Sequence, residues 1–138
     1  NLPTFDGVQQ LPGAEYAARE VSPDKNSITG ELAGAYPPIP GLGTYRRSVS
    51  VREQGITLRD ETDHPGTVEL TLLTEQQPVP AADGFVVGTL GGIRFDPDAV
   101  TAAVAPVSIT DPRLRTAWPE TIYKITLHFQ KMLNLELY

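Results

Sequence analysis

The chain has 138 residues, enough for one domain that buries about two-thirds of the surface its unfolded form exposes. Its 17 acidic and 11 basic residues give a net charge of −6, which argues against general binding to nucleic acid or to an anionic membrane surface. The absence of cysteine excludes disulfides, thiolate catalysis and thiolate metal sites, and no apolar run approaches the roughly 20 residues that span a bilayer.

The first third of the chain is irregular. It begins at Asn1 without a methionine, so we expect it to be part of a longer protein. Residues 16–21 and 27–32 are candidate strands, whereas the proline- and glycine-rich residues 36–43 predict a loop.

The middle of the chain alternates apolar and polar residues with a period of two. This pattern covers residues 45–51, 56–61 and 68–73, and turn-forming residues separate the three segments at 53–55 and 63–66. We therefore predict three half-buried strands in an antiparallel meander.

The next segments are also predicted to be strands. Residues 85–90 and 93–95 flank Gly91-Gly92, which predicts a hairpin with a two-residue turn. Residues 100–109 form a long strand candidate in which Pro106 indicates a sheet edge or a bulge.

Only one short helix is predicted. Thr110-Asp111-Pro112 has the composition of a helix start and Pro119 stops the helix, so only residues 113–118 can be helical. Residues 121–129 and 133–137 alternate again. The whole chain therefore predicts a single all-β domain over residues 1–138, an antiparallel β-sandwich with one short helix near 112–118.

The two histidines offer few possibilities for chemistry. His128 shares a strand face with Lys124 and Thr126, which predicts a solvent-facing side chain. His64 lies in an acidic segment, residues 60–66, that could hold a divalent cation if its ligands converged on one point. Acidic residues are also common in turns because of their turn propensity, and we favour that interpretation.

The known templates for catalysis and phosphate binding are absent. There is no Gly-x-Ser-x-Gly motif, and Gly41-Leu42-Gly43 lacks the third glycine and the helix of a phosphate-binding loop. A pair of carboxylates for glycoside hydrolysis stays possible, although no pair stands out. We assign no catalytic residue.

Arginine and aromatic residues are the remaining candidates for ligand contacts. Arg46 and Arg47 point to opposite faces of one strand, so they cannot form one clamp. Either could meet an anionic sugar, although an exposed strand arginine is the simpler interpretation. The aromatic residues that could stack on sugars are explained equally well as core or loop anchors: Tyr16, Tyr36, Tyr45 and Trp118.

Several segments together resemble the C-terminal β-sandwich domain of the heparinase II/III-like polysaccharide lyases. They occur in the family's order and cover nearly the whole chain. They are Asn-Leu-Pro-Thr-Phe-Asp-Gly-Val-Gln-Gln at 1–10 with Gly13, Glu-Leu-Ala-Gly-Ala-Tyr-Pro at 31–37, Tyr-Arg-Arg-Ser-Val at 45–49, Ile-Thr-Leu-Arg-Asp at 56–60, Asp-Pro-Arg-Leu at 111–114 with Trp118, and Ile-Tyr-Lys-Ile at 122–125.

The resemblance implies a larger enzyme with an N-terminal (α/α) toroid that carries much of the catalytic apparatus. Such enzymes cleave uronate-containing polysaccharides by β-elimination, in which neutralisation of the uronate carboxylate makes the C5 proton removable. The resemblance also implies a periplasmic or extracellular bacterial protein, and a cytoplasmic location stays open.

Some family members hold zinc in this sandwich. The resemblance places the family's first histidine just before Asn1, replaces its aspartate ligand by Glu31, and leaves no histidine at residues 72–74. Because a structural zinc site needs four protein ligands, we predict no zinc and no other cofactor.

Our hypothesis is that the chain is the non-catalytic sandwich domain of such a lyase. Its partners would be the toroid of the same protein and an acidic polysaccharide. The candidates for the substrate cleft are Asn1, Gln10, Glu31, Tyr36, Arg46 and Arg47. The alternative is a free-standing carbohydrate-binding or protein-interaction module that uses Tyr36, Tyr45 and the Arg46/Arg47 strand.

Overall fold

The computed structural model describes residues 2–89 and 91–138, which form twelve strands. They are β1 (Thr4–Phe5), β2 (Arg19–Pro23), β3 (Ser27–Glu31), β4 (Tyr45–Arg52), β5 (Gly55–Thr62), β6 (Val68–Thr74), β7 (Pro78–Ala81), β8 (Gly84–Val87), β9 (Gly91–Arg94), β10 (Thr101–Ser108), β11 (Thr121–Phe129) and β12 (Met132–Leu137). The smaller sheet has four strands in the order β1-β6-β11-β10, and the larger has eight in the order β2-β3-β4-β5-β12-β9-β8-β7. The predicted all-β sandwich is confirmed.

The core lies between the two sheets and follows the alternation in the sequence. β11 and β12 together contribute five of its fifteen buried residues in the described chain, because each lies in the interior of its sheet and turns every second side chain inward. The buried residues of these two strands that belong to the core are Ile125, Leu127, Phe129, Leu133 and Leu135. No helix in the described part of the chain is long and apolar enough to cross a membrane.

The predicted meander is wrong in its third strand. β4 and β5 pair as expected, with Val49 opposite Leu58, but β5 has β12 as its other neighbour. β6 lies in the smaller sheet between β1 and β11. Residues 63–67 are therefore a crossover between the sheets, and the burial of His64 within it shows why a solvated hairpin turn does not form there.

The predicted hairpin is present, but its turn is displaced. Val87 pairs with Gly91, so the connection comprises residues 88–90, of which Leu90 lies outside the described residues. Gly91 begins β9 with φ of +144°, and a Cβ atom there would collide with the carbonyl oxygen of Tyr138. These glycines permit a close approach of the chain's last residues rather than a tight turn.

The second half agrees with the sequence in two further elements. β10 lies at an edge of the smaller sheet, as Pro106 indicated. The short helix is a single 3₁₀ turn at Leu114–Thr116, within the predicted region, and the carboxylate of Asp111 accepts the N–H of Arg113 at 2.8 Å near its start. A second 3₁₀ turn, at Ala33–Ala35, was not predicted.

Candidate functional site

The N-terminal segment reverses direction immediately after β1. Phe5 and Val8 exchange two backbone hydrogen bonds, of 3.1 and 2.9 Å, around Asp6 and Gly7. Both central residues have positive φ, +50° and +77°, as a type I′ turn requires. Asp-Gly is one of the strongest sequence signals for this turn, so the reversal was readable from the sequence and was missed.

The reversed segment forms one wall of a groove, here called the N-terminal groove. Its volume is about 600 Å³. Its floor is the outer face of the smaller sheet, because Lys124 of β11 lies beside Leu73 of β6 in the register. The lining residues are Leu2, Pro3, Thr4, Gln9, Gln10, Leu11, Pro12, Glu69, Thr71, Leu73 and Lys124.

The N-terminal groove combines neutral polar groups with one charge of each sign. Gln9 and Gln10 bring side-chain amides to the wall, while Glu69 and Lys124 bring the charges to the floor. Glu69 is held from two sides, since its carboxylate lies 3.3 Å from Nε2 of His128 and 3.5 Å from the hydroxyl of Thr71. None of the described residues that line the groove is aromatic, so it offers hydrogen bonds and charge rather than ring stacking.

Of the predicted site residues that the structure describes, only Gln10 lies in this groove. Glu31 and Arg46 line a separate cavity of about 350 Å³. Asn1 lies outside the described residues. Sequence reasoning missed the floor of the groove, because only the β6–β11 register brings its residues together.

Glu31 has a structural role in the described chain. Its Oε1 atom accepts the N–H groups of Ala33 and Tyr45, at 2.9 and 3.0 Å. It therefore ties the end of β3 to the start of β4. Arg46, beside it, is about half exposed and forms a surface ion pair of 2.9 Å with Glu20.

Tyr36 and Arg47 lie inside the domain. Tyr36 is 4% exposed and donates its hydroxyl to the carbonyl oxygen of Pro3 at 2.6 Å. Arg47 donates two hydrogen bonds, of 2.7 and 2.6 Å, to the carboxylate of Asp60, which is fully buried. The opposite orientation of the two arginines is confirmed, and Arg47 belongs to a buried ion pair.

Burial dominates the electrostatics of this interior cluster. It raises the pKa of Tyr36 and of Tyr45 above the ordinary tyrosine value, and the charge of Asp60 raises the pKa of Tyr45 further. Burial alone would lower the pKa of Arg47, but the hydrogen bond and charge of Asp60 outweigh it, and the pKa is raised. The raised pKa keeps Arg47 protonated and charged.

The two histidines occupy different environments. His128 is part-exposed beside Glu69, on the face where it was predicted. His64 is 1% exposed, and its Nε2 atom lies 3.1 Å from Oδ2 of Asp6. Among residues 2–89 and 91–138, no group of three or more histidine, aspartate or glutamate side chains is arranged to hold a metal ion.

Comparison with family models and with curated proteins identifies no relative of the chain. No family model and no curated protein matches the chain. The family suggested by the motifs is therefore a prediction, and the functional argument depends on those motifs together with the N-terminal groove.

Proposed function

We propose that the chain is the non-catalytic β-sandwich domain of a heparinase II/III-like polysaccharide lyase, and that its N-terminal groove forms part of the rim of the substrate cleft. One observation supports this most directly. In the segment with the most specific resemblance to the family, the described residues 2–10 supply a wall of the groove that includes Gln10.

The groove offers one cation and several hydrogen-bonding groups to a uronate sugar. The Lys124 ammonium would attract a uronate carboxylate, while the amides of Gln9 and Gln10 would donate hydrogen bonds to carboxylate or hydroxyl oxygens. Glu69 would accept hydrogen bonds from sugar hydroxyls. The base that removes the C5 proton and the acid that protonates the leaving oxygen would belong to the toroid.

The structure argues against the sugar-binding surface that the sequence suggested for a free-standing carbohydrate-binding module. Tyr36 and Tyr45 are 4% and 1% exposed, so neither ring presents a face to a sugar. Arg47 is engaged by Asp60. Of the residues assigned to such a module, only Arg46 is exposed in the described structure, so the module would need further contacts elsewhere.

Titration of the isolated chain with a uronate tetrasaccharide, followed by amide chemical shifts in NMR spectra, tests the proposal. Because the chain supplies only part of the cleft, we expect weak binding, with shifts concentrated at residues 9–11 and 69–73. Lys124→Gln should weaken binding, whereas Arg59→Gln, an exposed charge change on the outer face of the larger sheet, should not.

Two results would contradict the proposal. Shifts confined to the larger sheet would place the ligand elsewhere, as would equal binding by Lys124→Gln and the unaltered chain. A dissociation constant near 1 µM, about −8 kcal/mol, would instead favour a free-standing binding module.

A further inference from the structure

We infer that His64 is a positioning residue: from the crossover between the sheets it holds the Asp6-Gly7 turn and thereby sets the wall of the N-terminal groove. The inference depends on the proposed function only for the use of the groove as a binding site. The positioning itself follows from the contacts around His64.

The first support is the contact between a buried ring and an exposed carboxylate. His64 is 1% exposed, and its Nε2 atom lies 3.1 Å from Oδ2 of Asp6, whose side chain is 62% exposed. Neither ring nitrogen has a well-aligned hydrogen-bond partner within the described chain. Since a buried polar atom without a partner is unfavourable, the Asp6 carboxylate, within ion-pair distance of Nε2, is the group through which the turn contacts this ring.

The second support is the space kept around this contact. A Cβ atom on Gly66 would lie 2.8 Å from Oδ1 of Asp6 and 2.8 Å from Nε2 of His64. Gly66 thus leaves room for the carboxylate to approach the ring. The ring of Phe5 packs against His64 edge to face, with centroids 5.4 Å apart, and fixes the other side of the imidazole.

The third support is the position of the turn in the chain. Asp6 and Gly7 reverse the backbone, and only one residue, Val8, separates them from Gln9 and Gln10. Farther along, the N–H of Leu11 donates to the carbonyl oxygen of Ala35 at 3.3 Å. The wall is therefore anchored at both ends, at Asp6 by His64 and at Leu11 by the 3₁₀ turn after β3.

Two variants and one control test the inference. Gly66→Ala places a Cβ atom against both the Asp6 carboxylate and the His64 ring, so the contact between them must shift. Asp6→Asn removes its charge but keeps an Asn-Gly turn, which has the same type I′ preference. Gly30→Ala is the control, because its added Cβ would make ordinary contacts of 3.6 Å or more and its φ is not positive.

Amide hydrogen exchange at Phe5 and Val8 reports opening of the turn, because these two residues close it by hydrogen bonds. We expect exchange there to become faster by about tenfold in Gly66→Ala and by less in Asp6→Asn, with no change in Gly30→Ala. If Gly66→Ala does not fold, Asp6→Asn alone decides. Exchange equal to that of the unaltered chain in the folded variants would overturn the inference.

A second readout separates positioning from general stability. Binding of the uronate tetrasaccharide should weaken in Gly66→Ala and Asp6→Asn at temperatures well below unfolding, while the unfolding midpoint of Asp6→Asn stays within a few degrees of the unaltered chain. If the turn opens in the variants but the unaltered chain binds no tetrasaccharide, the positioning role stands and the proposed function fails.

Discussion

At the scale of single residues, Arg46 and Arg47 show what a sequence can and cannot predict. The two-residue period places them on opposite faces, and Arg47 has the same parity as Tyr45, which is buried. The inward arginine was therefore foreseeable. Its partner was not, because Asp60 reaches Arg47 only through the β4–β5 register, which pairs the two residues directly.

We expect Arg47→Met to destabilise the domain by about 3–5 kcal/mol, since it leaves the Asp60 carboxylate buried without its counter-charge. Arg46→Met is the matched control and should cost about 0–1 kcal/mol, because its ion pair with Glu20 is exposed. Urea unfolding measures both. If both variants lost the same unfolding free energy, the buried ion pair would contribute no more to stability than the exposed one.

The buried tyrosines predict a loss of stability in alkali. The pKa of Tyr45 in the folded chain lies above the value of about 10 expected when unfolded, because burial and Asp60 oppose the phenolate. The stabilisation linked to this difference is complete below pH 10 and declines as the pH rises above it. Tyr45→Phe should therefore flatten the decline in unfolding free energy between about pH 10 and 12. An unchanged slope would contradict the role of Tyr45.

At the scale of elements, local pattern predicted the strands but not all of their neighbours. β11 and β12 were recognised because apolar and polar residues alternate strictly along most of each strand, which distinguishes the buried face from the exposed one. The place of β6 was missed because the residues before it resemble a turn, while the crossover depends on His64 packing against the distant Phe5. Burial was also overestimated at Val51, which is 57% exposed although it shares a face with Tyr45.

The hairpin of β8 and β9 gives the prediction at this scale. Gly91→Ala should destabilise the domain by more than about 1 kcal/mol, because the residue has positive φ and an added Cβ would collide with the carbonyl oxygen of Tyr138. Gly30→Ala, without positive φ or close contacts, should cost less. Thermal unfolding of both variants checks this. Equal unfolding midpoints for the two variants would contradict this.

At the scale of the whole molecule, the structure separates residues that the resemblance had grouped. Gln10 lies in the N-terminal groove, Glu31 and Arg46 line a second cavity, and Tyr36 and Arg47 stabilise the interior. The resemblance ordered motifs along the chain, but it carried no information on which of them share a surface. Packing between the sheets decides that.

The measurement that tests the central claim most directly is a lyase assay of the isolated chain. Uronate polysaccharides are incubated with it, and ultraviolet absorbance follows formation of the unsaturated sugar that β-elimination produces. A non-catalytic domain predicts absorbance equal to that of the protein-free control. A rise whose initial rate is proportional to the concentration of this chain, and which Lys124→Gln reduces, would contradict the account.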